Sequence, residues 1–195
     1  MTEVLKPYPD PAGADQILTA TERWLERAVI GLNLCPFAKS VFVKKQVRYA
    51  LTAAGSADEL LAELEHELNL LTASDPAELD TTLLIHPQAM TDFLDYHFFL
   101  AEADALLKNL GYQGVFQIAS LHPQYEFAGS APDDVENCSN RSPYPTLHLL
   151  REASIDRAVA AFPEAESIFE RNIETLQRLG HEGWRRLWLD EPGKP

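Results

Sequence analysis

Helical and strand-like patterns alternate along the first 121 residues of this 195-residue chain. Short apolar or β-branched runs occupy residues 46–52, 81–86 and 115–121, and each follows a segment with helical periodicity. The order α-β-α-β-α-β favours parallel strands joined by right-handed crossovers. We therefore expect an α/β fold whose short, mainly parallel sheet has three or four strands with flanking helices.

The C-terminal third of the chain is predicted to be helical. Residues 14–188 are expected to form a single globular domain, between a flexible N-terminal arm at 1–13 and a loose tail at 189–195. The predicted helices cover residues 14–32, 57–71, 91–110, 145–152, 154–162 and 163–180.

The chain is strongly acidic: 16 Lys and Arg residues against 30 Asp and Glu residues give a net charge of −14. This charge opposes binding to nucleic acids and to anionic lipid, so neither a nucleic acid nor a membrane is expected as a partner. No apolar stretch approaches the roughly 18 residues of a membrane span, and the first fifteen residues show no secretory signal. We expect a cytoplasmic protein.

Acidic residues are concentrated in residues 57–112, which hold twelve of them against one basic residue. Glu63, Glu65 and Glu67 fall between the apolar positions of the predicted helix, and we expect them on its solvent face. Such a surface is suited to a basic partner, so a non-catalytic interaction module is one possible function.

Two predicted strands end in the same dipeptide, His86-Pro87 and His122-Pro123. If the strands are parallel, both imidazoles lie at the carboxyl edge of the sheet, where open α/β proteins bind ligands. The alternative is that each histidine is a hydrogen-bonded residue at a strand end.

An irregular segment, residues 122–145, leaves the same edge and contains four prolines. Its polar side chains include Tyr125, Asn140 and Arg141, and loops of this kind often carry function. Ser142 fits either a site or the N-cap of the helix predicted to follow.

On that predicted helix, His148, Arg151 and Glu152 stand at i, i+3 and i+4 and share a face. The face is either functional or an ordinary surface ion pair. His148 and Glu152 are also the only short-range pair of metal-ligand type, which is too little to predict a metal site, and no cofactor is indicated.

Arginine side chains bind planar anions with two hydrogen bonds, and in an acidic chain a basic cluster indicates an anionic ligand. Arg48, Arg141 and Arg151 are the candidates, unless each is paired with one of the many carboxylates.

Two cysteines, Cys35 and Cys138, lack the spacing of a zinc or redox motif and are expected as reduced thiols, with a disulfide as the alternative. Cys35 is a candidate nucleophile with His122 or His148, or else a packed residue.

Three stretches carry a resemblance to known proteins: L-N-L-C-P-F-A at residues 32–38, H-P-Q-Y-E-F-A-G at 122–129 and N-R-S-P-Y-P-T-L-H-L-L-R-E at 140–152. The chain resembles a bacterial family of similar length whose domain has no known function. The likeness covers about residues 22–188 and implies a small cytoplasmic protein, without assigning any chemistry.

The leading hypothesis is an enzyme that acts on a small anionic molecule at the carboxyl ends of the strands, although the sequence does not decide whether the chain is an enzyme. The alternative is the interaction module, and the oligomeric state stays open. The predicted catalytic residues are His122 or His148 as acid or base, Asn140 and Tyr125 for orientation, and Cys35. The predicted substrate-binding residues are Arg141, Arg151, Arg48, His86 and Glu152.

Overall fold

A computed structural model of the chain describes residues 9–161 and 167–188. The α-helices are α1 (Pro11–Trp24), α2 (Ala38–Val43), α3 (Ala57–Ala73), α4 (Phe93–Asn109), α5 (Glu152–Ala160) and α6 (Ile168–Arg186). The strands are β1 (Val47–Leu51), β2 (Thr81–Ile85), β3 (Phe116–Leu121) and β4 (Thr146–Arg151). A π-helical turn, Leu25–Ile30, continues α1, and a 3-10 helix covers Val135–Asn140.

The sheet has four strands in the order β1-β2-β4-β3, so the α/β class and the strand number are confirmed. The β1–β2 pair is parallel, whereas β4 is antiparallel to both β2 and β3. The expected mainly parallel pairing is thus corrected to one parallel pair and two antiparallel pairs. Nevertheless β1, β2 and β3 all run in the same direction, because β4 lies between β2 and β3 and opposes both.

The helix predicted at residues 145–152 is wrong, since these residues form β4. Leu147 and Leu149 are fully buried on one face of the sheet, and His148 lies on the other. A short apolar run fits either a helix or a strand, and here hydrogen bonding to strands on both sides favours the strand. Helical structure does follow, in α5 and α6.

Helices cover both faces of the sheet. On one face, α3 and α4 pack an aliphatic and aromatic core against Leu84, Leu147 and Leu149. On the other, α1 and the π-helical turn bring Trp24 and Ala28 against the second face of the sheet. Asp10 caps α1 by accepting a hydrogen bond from the Ala12 amide, so this helix begins at Pro11, three residues before the predicted start at residue 14.

Two other predicted helix boundaries, at Pro163 and Gly180, are not confirmed. The start predicted at Pro163 lies outside the described residues. Gly180 does not end the last helix but kinks it at φ +65°, and α6 continues to Arg186. Ser56 followed by Glu59 is the sequence pattern of a capping box at the start of α3. The Ser56 hydroxyl accepts from the Glu59 amide, and the Glu59 carboxylate accepts from the Gly55 amide.

The acidic helix α3 carries one buried carboxylate. The side chain of Glu67 is 0% exposed and accepts two hydrogen bonds from Arg48, of 2.7 Å and 3.0 Å. Its expected position on the solvent face is therefore wrong. Arg48 is correspondingly neutralised by Glu67, which removes it as a binder of an external anion.

The Arg48–Glu67 pair predicts a large effect on stability. Replacing Arg48→Met leaves the buried Glu67 carboxylate without its partner, and we expect the free energy of unfolding to fall by about 3 kcal/mol. Urea denaturation measures this change. The double variant Arg48→Met/Glu67→Met should recover most of the loss.

The matched control is Arg186→Met, which breaks the exposed pair of Arg186 with Glu182 and should change stability by less than about 1 kcal/mol. Equal effects of the two single Arg variants would contradict the structural role assigned to Glu67.

Candidate functional site

His86 and His122 meet at the carboxyl edge of the sheet, as the strand-end prediction requires. The ring of Tyr96 lies between them, with ring centroids 5.7 Å from His86 and 5.1 Å from His122. The Tyr96 hydroxyl donates to the Thr146 carbonyl and accepts from the Leu121 amide. The Tyr96 hydroxyl therefore bridges the end of β3 and the start of β4.

Hydrogen bonds to the backbone hold both strand-end histidines. His86 is completely buried and donates from Nδ1 to the Ala89 carbonyl at 3.0 Å. His122 accepts at Nδ1 from the Gln124 amide and donates from Nε2 to the Met90 carbonyl. Burial lowers the pKa of both rings, that of His86 to about 4. Both rings are thus neutral at neutral pH. His122 links the loop after β3 to the loop after β2, whereas His86 bonds within its own loop and its buried Nε2 has no partner among the described residues.

Tyr125 and Arg141 organise the loop beyond this edge. The Tyr125 ring packs on Phe93 and Phe127 at 5.3 Å and 5.0 Å, and its carbonyl accepts from Arg141 Nε. Arg141 Nη2 donates to the Pro132 carbonyl at 2.6 Å. Tyr125 and Arg141 therefore lie near His122.

Arg151 lies at the opposite edge of the sheet, because it ends β4 beside the first residue of β3. Its Nη2 donates to three backbone carbonyls, of Leu71, Ser74 and Leu79. The structure therefore does not bring Arg141, Arg151 and Arg48 into one anion clamp.

The shared helix face predicted for His148, Arg151 and Glu152 does not exist, since the first two are in β4 and Glu152 is the first residue of α5. Ser142 is not an N-cap either, and its hydroxyl donates to the Tyr144 carbonyl. Within residues 9–161 and 167–188, no three His, Cys, Asp or Glu residues are grouped to hold a metal ion.

A cavity of about 920 Å³ lies against the sheet face that is opposite to α3 and α4. We call it the sheet cavity. Its floor and walls include Thr81, Leu83, Ala119, Leu121 and Leu150. It also brings together four predicted site residues: Cys35, Asn140, His148 and Arg151. The cavity extends along the sheet face rather than lying at the carboxyl ends alone.

His148 has one ring nitrogen bound and one without a partner. The Thr81 hydroxyl donates to the Leu149 carbonyl at 2.7 Å, so its single hydrogen is used. His148 Nε2, 2.7 Å from the same oxygen, must then be the donor. The Nδ1 lone pair has no hydrogen-bond partner among the described residues, and burial lowers the pKa of His148 to about 4.

Cys35 lines the same cavity just before α2. The backbone amides of Phe37 and Ala38 lower the pKa of its thiol, but burial has the larger effect and raises that pKa. The thiol is therefore protonated at neutral pH. Cys35 and Cys138 are both free, so the alternative of a disulfide is not formed.

The polar lining of the sheet cavity is cationic on balance. Lys44, Arg151 and Arg157 line it together with one acidic residue, Asp80. Asp80 accepts from the Ser154 hydroxyl at 2.6 Å and lies 4.0 Å from Arg151 Nε. Sequence reasoning missed these residues apart from Arg151, because they come from separate segments that only the tertiary fold brings to one cavity.

The fold and the site define a small α/β domain with a cavity of ligand size on one face of its sheet, lined mainly by apolar side chains with a few charged and polar ones. The family described as "Protein of unknown function (DUF1415)" matches residues 16–186, and the chain belongs to this family. The resemblance stated from the sequence is thus confirmed. Neither the curated proteins nor the solved structures contain a match. None of the described helices has the length and apolar character needed to cross a membrane.

The two histidines with a pKa of about 4 predict that acid destabilises the protein. Between pH 4 and the ordinary value of 6.5 the unfolded state binds more protons than the folded state. The free energy of unfolding therefore decreases as the pH is lowered from 6.5 to 4, by at most about 1.4 kcal/mol per pH unit for each histidine.

Urea denaturation at several pH values between 7 and 4 measures this dependence. His148→Gln should reduce the slope, whereas His97→Gln, at an exposed position on α4, should not. An unchanged slope in His148→Gln would contradict a buried, neutral imidazole.

The raised pKa of Cys35 predicts slow alkylation. In a Cys138→Ser background at neutral pH, iodoacetamide should modify Cys35 more slowly than it modifies glutathione, because less of the thiol is ionised. Mass spectrometry follows the reaction. A rate equal to or above that of glutathione would show an activated nucleophile instead.

Proposed function

We propose that the protein is an enzyme that acts on a small anionic molecule bound in the sheet cavity, with His148 as the general base. The observation that carries this proposal is the unpartnered Nδ1 of His148, on a side chain that lines a cavity of about 920 Å³. Cavities of this volume are typical of sites for small molecules and cofactors.

A neutral buried histidine can act as a base when an anionic substrate is bound beside it. With a pKa of about 4, the ring is deprotonated at neutral pH and its lone pair is available. Taking up a proton is unfavourable in the empty cavity, because burial penalises the cation. A negative charge bound beside the ring would raise the pKa of His148 and make proton abstraction feasible.

The bond from His148 Nε2 to Thr81 supports the base role by fixing the tautomer. Thr81 is itself held through its hydrogen bond to Leu149, so the imidazole cannot turn without losing its bond to a fixed hydroxyl. A base whose proton and orientation are fixed in this way meets a substrate without reorganisation.

Cationic side chains at the cavity wall would bind the anion. Lys44 and Arg157 are exposed at its rim, and Arg151 lies deeper with its Nε buried and without a hydrogen-bond partner among the described residues. Because Arg151 Nη2 is fully engaged with carbonyls, we assign anion binding mainly to Lys44 and Arg157.

Asn140 and Cys35 are assigned supporting roles in the same cavity. Asn140 donates to the Ser120 carbonyl and accepts from the Ser139 hydroxyl, which holds its amide in place to orient a substrate. Cys35 contributes a neutral thiol to the wall. We also propose that the protein works in a bacterial cytoplasm, where free thiols such as Cys35 and Cys138 are usual.

A second candidate function is binding of a basic partner through the acidic surface of residues 57–112. It is favoured by Leu94 and Phe98 on α4, which are 60% and 66% exposed beside acidic side chains. Glu67 has no part in such a surface, because it is buried against Arg48.

The test of the enzyme proposal is a search for anions that stabilise the chain. A panel of phosphates, carboxylates and nucleotides is screened by thermal unfolding, where a ligand at 100 times its Kd adds about 2.7 kcal/mol of stability. Lys44→Ala and Arg157→Ala should reduce the shift. Magnesium and zinc are included as additives.

The stabilising compound is then incubated with the protein and its consumption is followed by NMR. His148→Gln should still bind it but lose about 100-fold or more of the rate, whereas the His97→Gln control should keep it. Full turnover by His148→Gln would refute the base role. Stabilisation that is insensitive to both Lys44→Ala and Arg157→Ala would place the anion elsewhere.

A further inference from the structure

All three tryptophans of the chain line one other cavity, of about 840 Å³, between α1, α6 and the loop that joins β3 to β4. We call it the tryptophan cavity. Trp24 is 3% exposed and forms a rigid wall, while Trp184 and Trp188 meet edge to face with ring centroids 5.4 Å apart. Indole surfaces of this kind accept planar rings by stacking.

Cationic side chains surround these indoles. Arg23, Arg141 and Arg185 line the cavity, with Asp133 as the one acidic residue in its described lining. The cluster is locally cationic although the chain has a net charge of −14. Its charge is complementary to an anion.

The hydrogen-bond partners of Arg141 are neutral backbone carbonyls. Nε and Nη2 donate to the carbonyls of Tyr125 and Pro132, and no carboxylate pairs with it among the described residues. The guanidinium also lies beside the Cys138 thiol, and it is held in place at the cavity wall with no carboxylate to offset its charge. Arg185 is exposed at the rim and makes no ion pair within the described part of the chain.

We propose that the tryptophan cavity is a second ligand site, for a planar aromatic ring that carries a carboxylate or phosphate group. The ring stacks against the tryptophans, and the anionic group accepts hydrogen bonds from Arg141 and Arg185. The site is separate from the sheet cavity, and it does not depend on the activity proposed there. Trp24 lies between the two cavities and lines both.

Tryptophan fluorescence of the full chain tests this site, since Trp184 and Trp188 line only this one of the two cavities. The probes are adenosine monophosphate and 4-hydroxybenzoate, each compared with its neutral counterpart, adenosine and phenol. We expect saturable quenching by at least one anionic probe and much weaker binding of its counterpart. The probe that binds distinguishes a nucleotide from an aromatic acid.

Arg141→Ala and Arg185→Ala should each weaken the binding of that probe by about tenfold to a hundredfold. Arg186→Ala is the matched control, because Arg186 neighbours Arg185, pairs with Glu182 and lies outside the cavity lining. Lys44→Ala separates this site from the sheet cavity and should leave the quenching unchanged. Arg185 holds no other element in place, so its variant remains informative if Arg141→Ala does not fold.

Two results would overturn the proposal. The first is the absence of saturable quenching by both anionic probes up to about 1 mM, the range of weak specific binding. The second is quenching that Arg185→Ala leaves unchanged, because the anion would then bind outside the cluster.

Discussion

β4 is hydrogen-bonded on both sides, to β2 and to β3, and much of the fold depends on its position between these two strands. It joins two strands that run in the same direction without making them neighbours, and its backbone pairs with a strand on each side. It also brings His148 to the face opposite Leu147 and Leu149. The side chain that we assign as the base is therefore positioned by the central antiparallel strand.

The two faces of the sheet are filled differently. The face under α3 and α4 is packed with aliphatic side chains, and its buried charge, Glu67, is neutralised by Arg48. The other face has a wide cavity whose walls are mainly apolar, with a few polar side chains that include Thr81 and His148 on the strands themselves. A polar strand residue facing a helical layer is unfavourable unless it is hydrogen-bonded or serves a ligand, and His148 is only half satisfied. This asymmetry is the physical reason for placing the function on the second face.

The predicted site residues lie in two separate groups in the folded chain. His86, His122, Tyr125 and Arg141 gathered at the carboxyl edge, where backbone groups occupy both ring nitrogens of His122. Cys35, Asn140, His148 and Arg151 gathered along the sheet cavity, although they are separated by up to 116 positions in the sequence. Arg141 faces a third place, the tryptophan cavity, together with residues of α1 and α6 that sequence reasoning did not select. Contacts between distant segments decided each of these groupings, and no local pattern encodes them.

The sequence by itself determined the α/β class, β1 to β3, the capping box at Ser56 and the meeting of His86 with His122, because periodicity, caps and strand-ending prolines act locally. It also determined the family, through the motifs around Cys35, His122 and Asn140. Only the tertiary structure decided that residues 146–151 form a strand and that Glu67 is buried. It also decided that Arg48, Arg141 and Arg151 do not form one cluster. In each case the decisive free energy comes from partners far along the chain, such as the neighbouring strands of β4 and the Arg48 that meets Glu67.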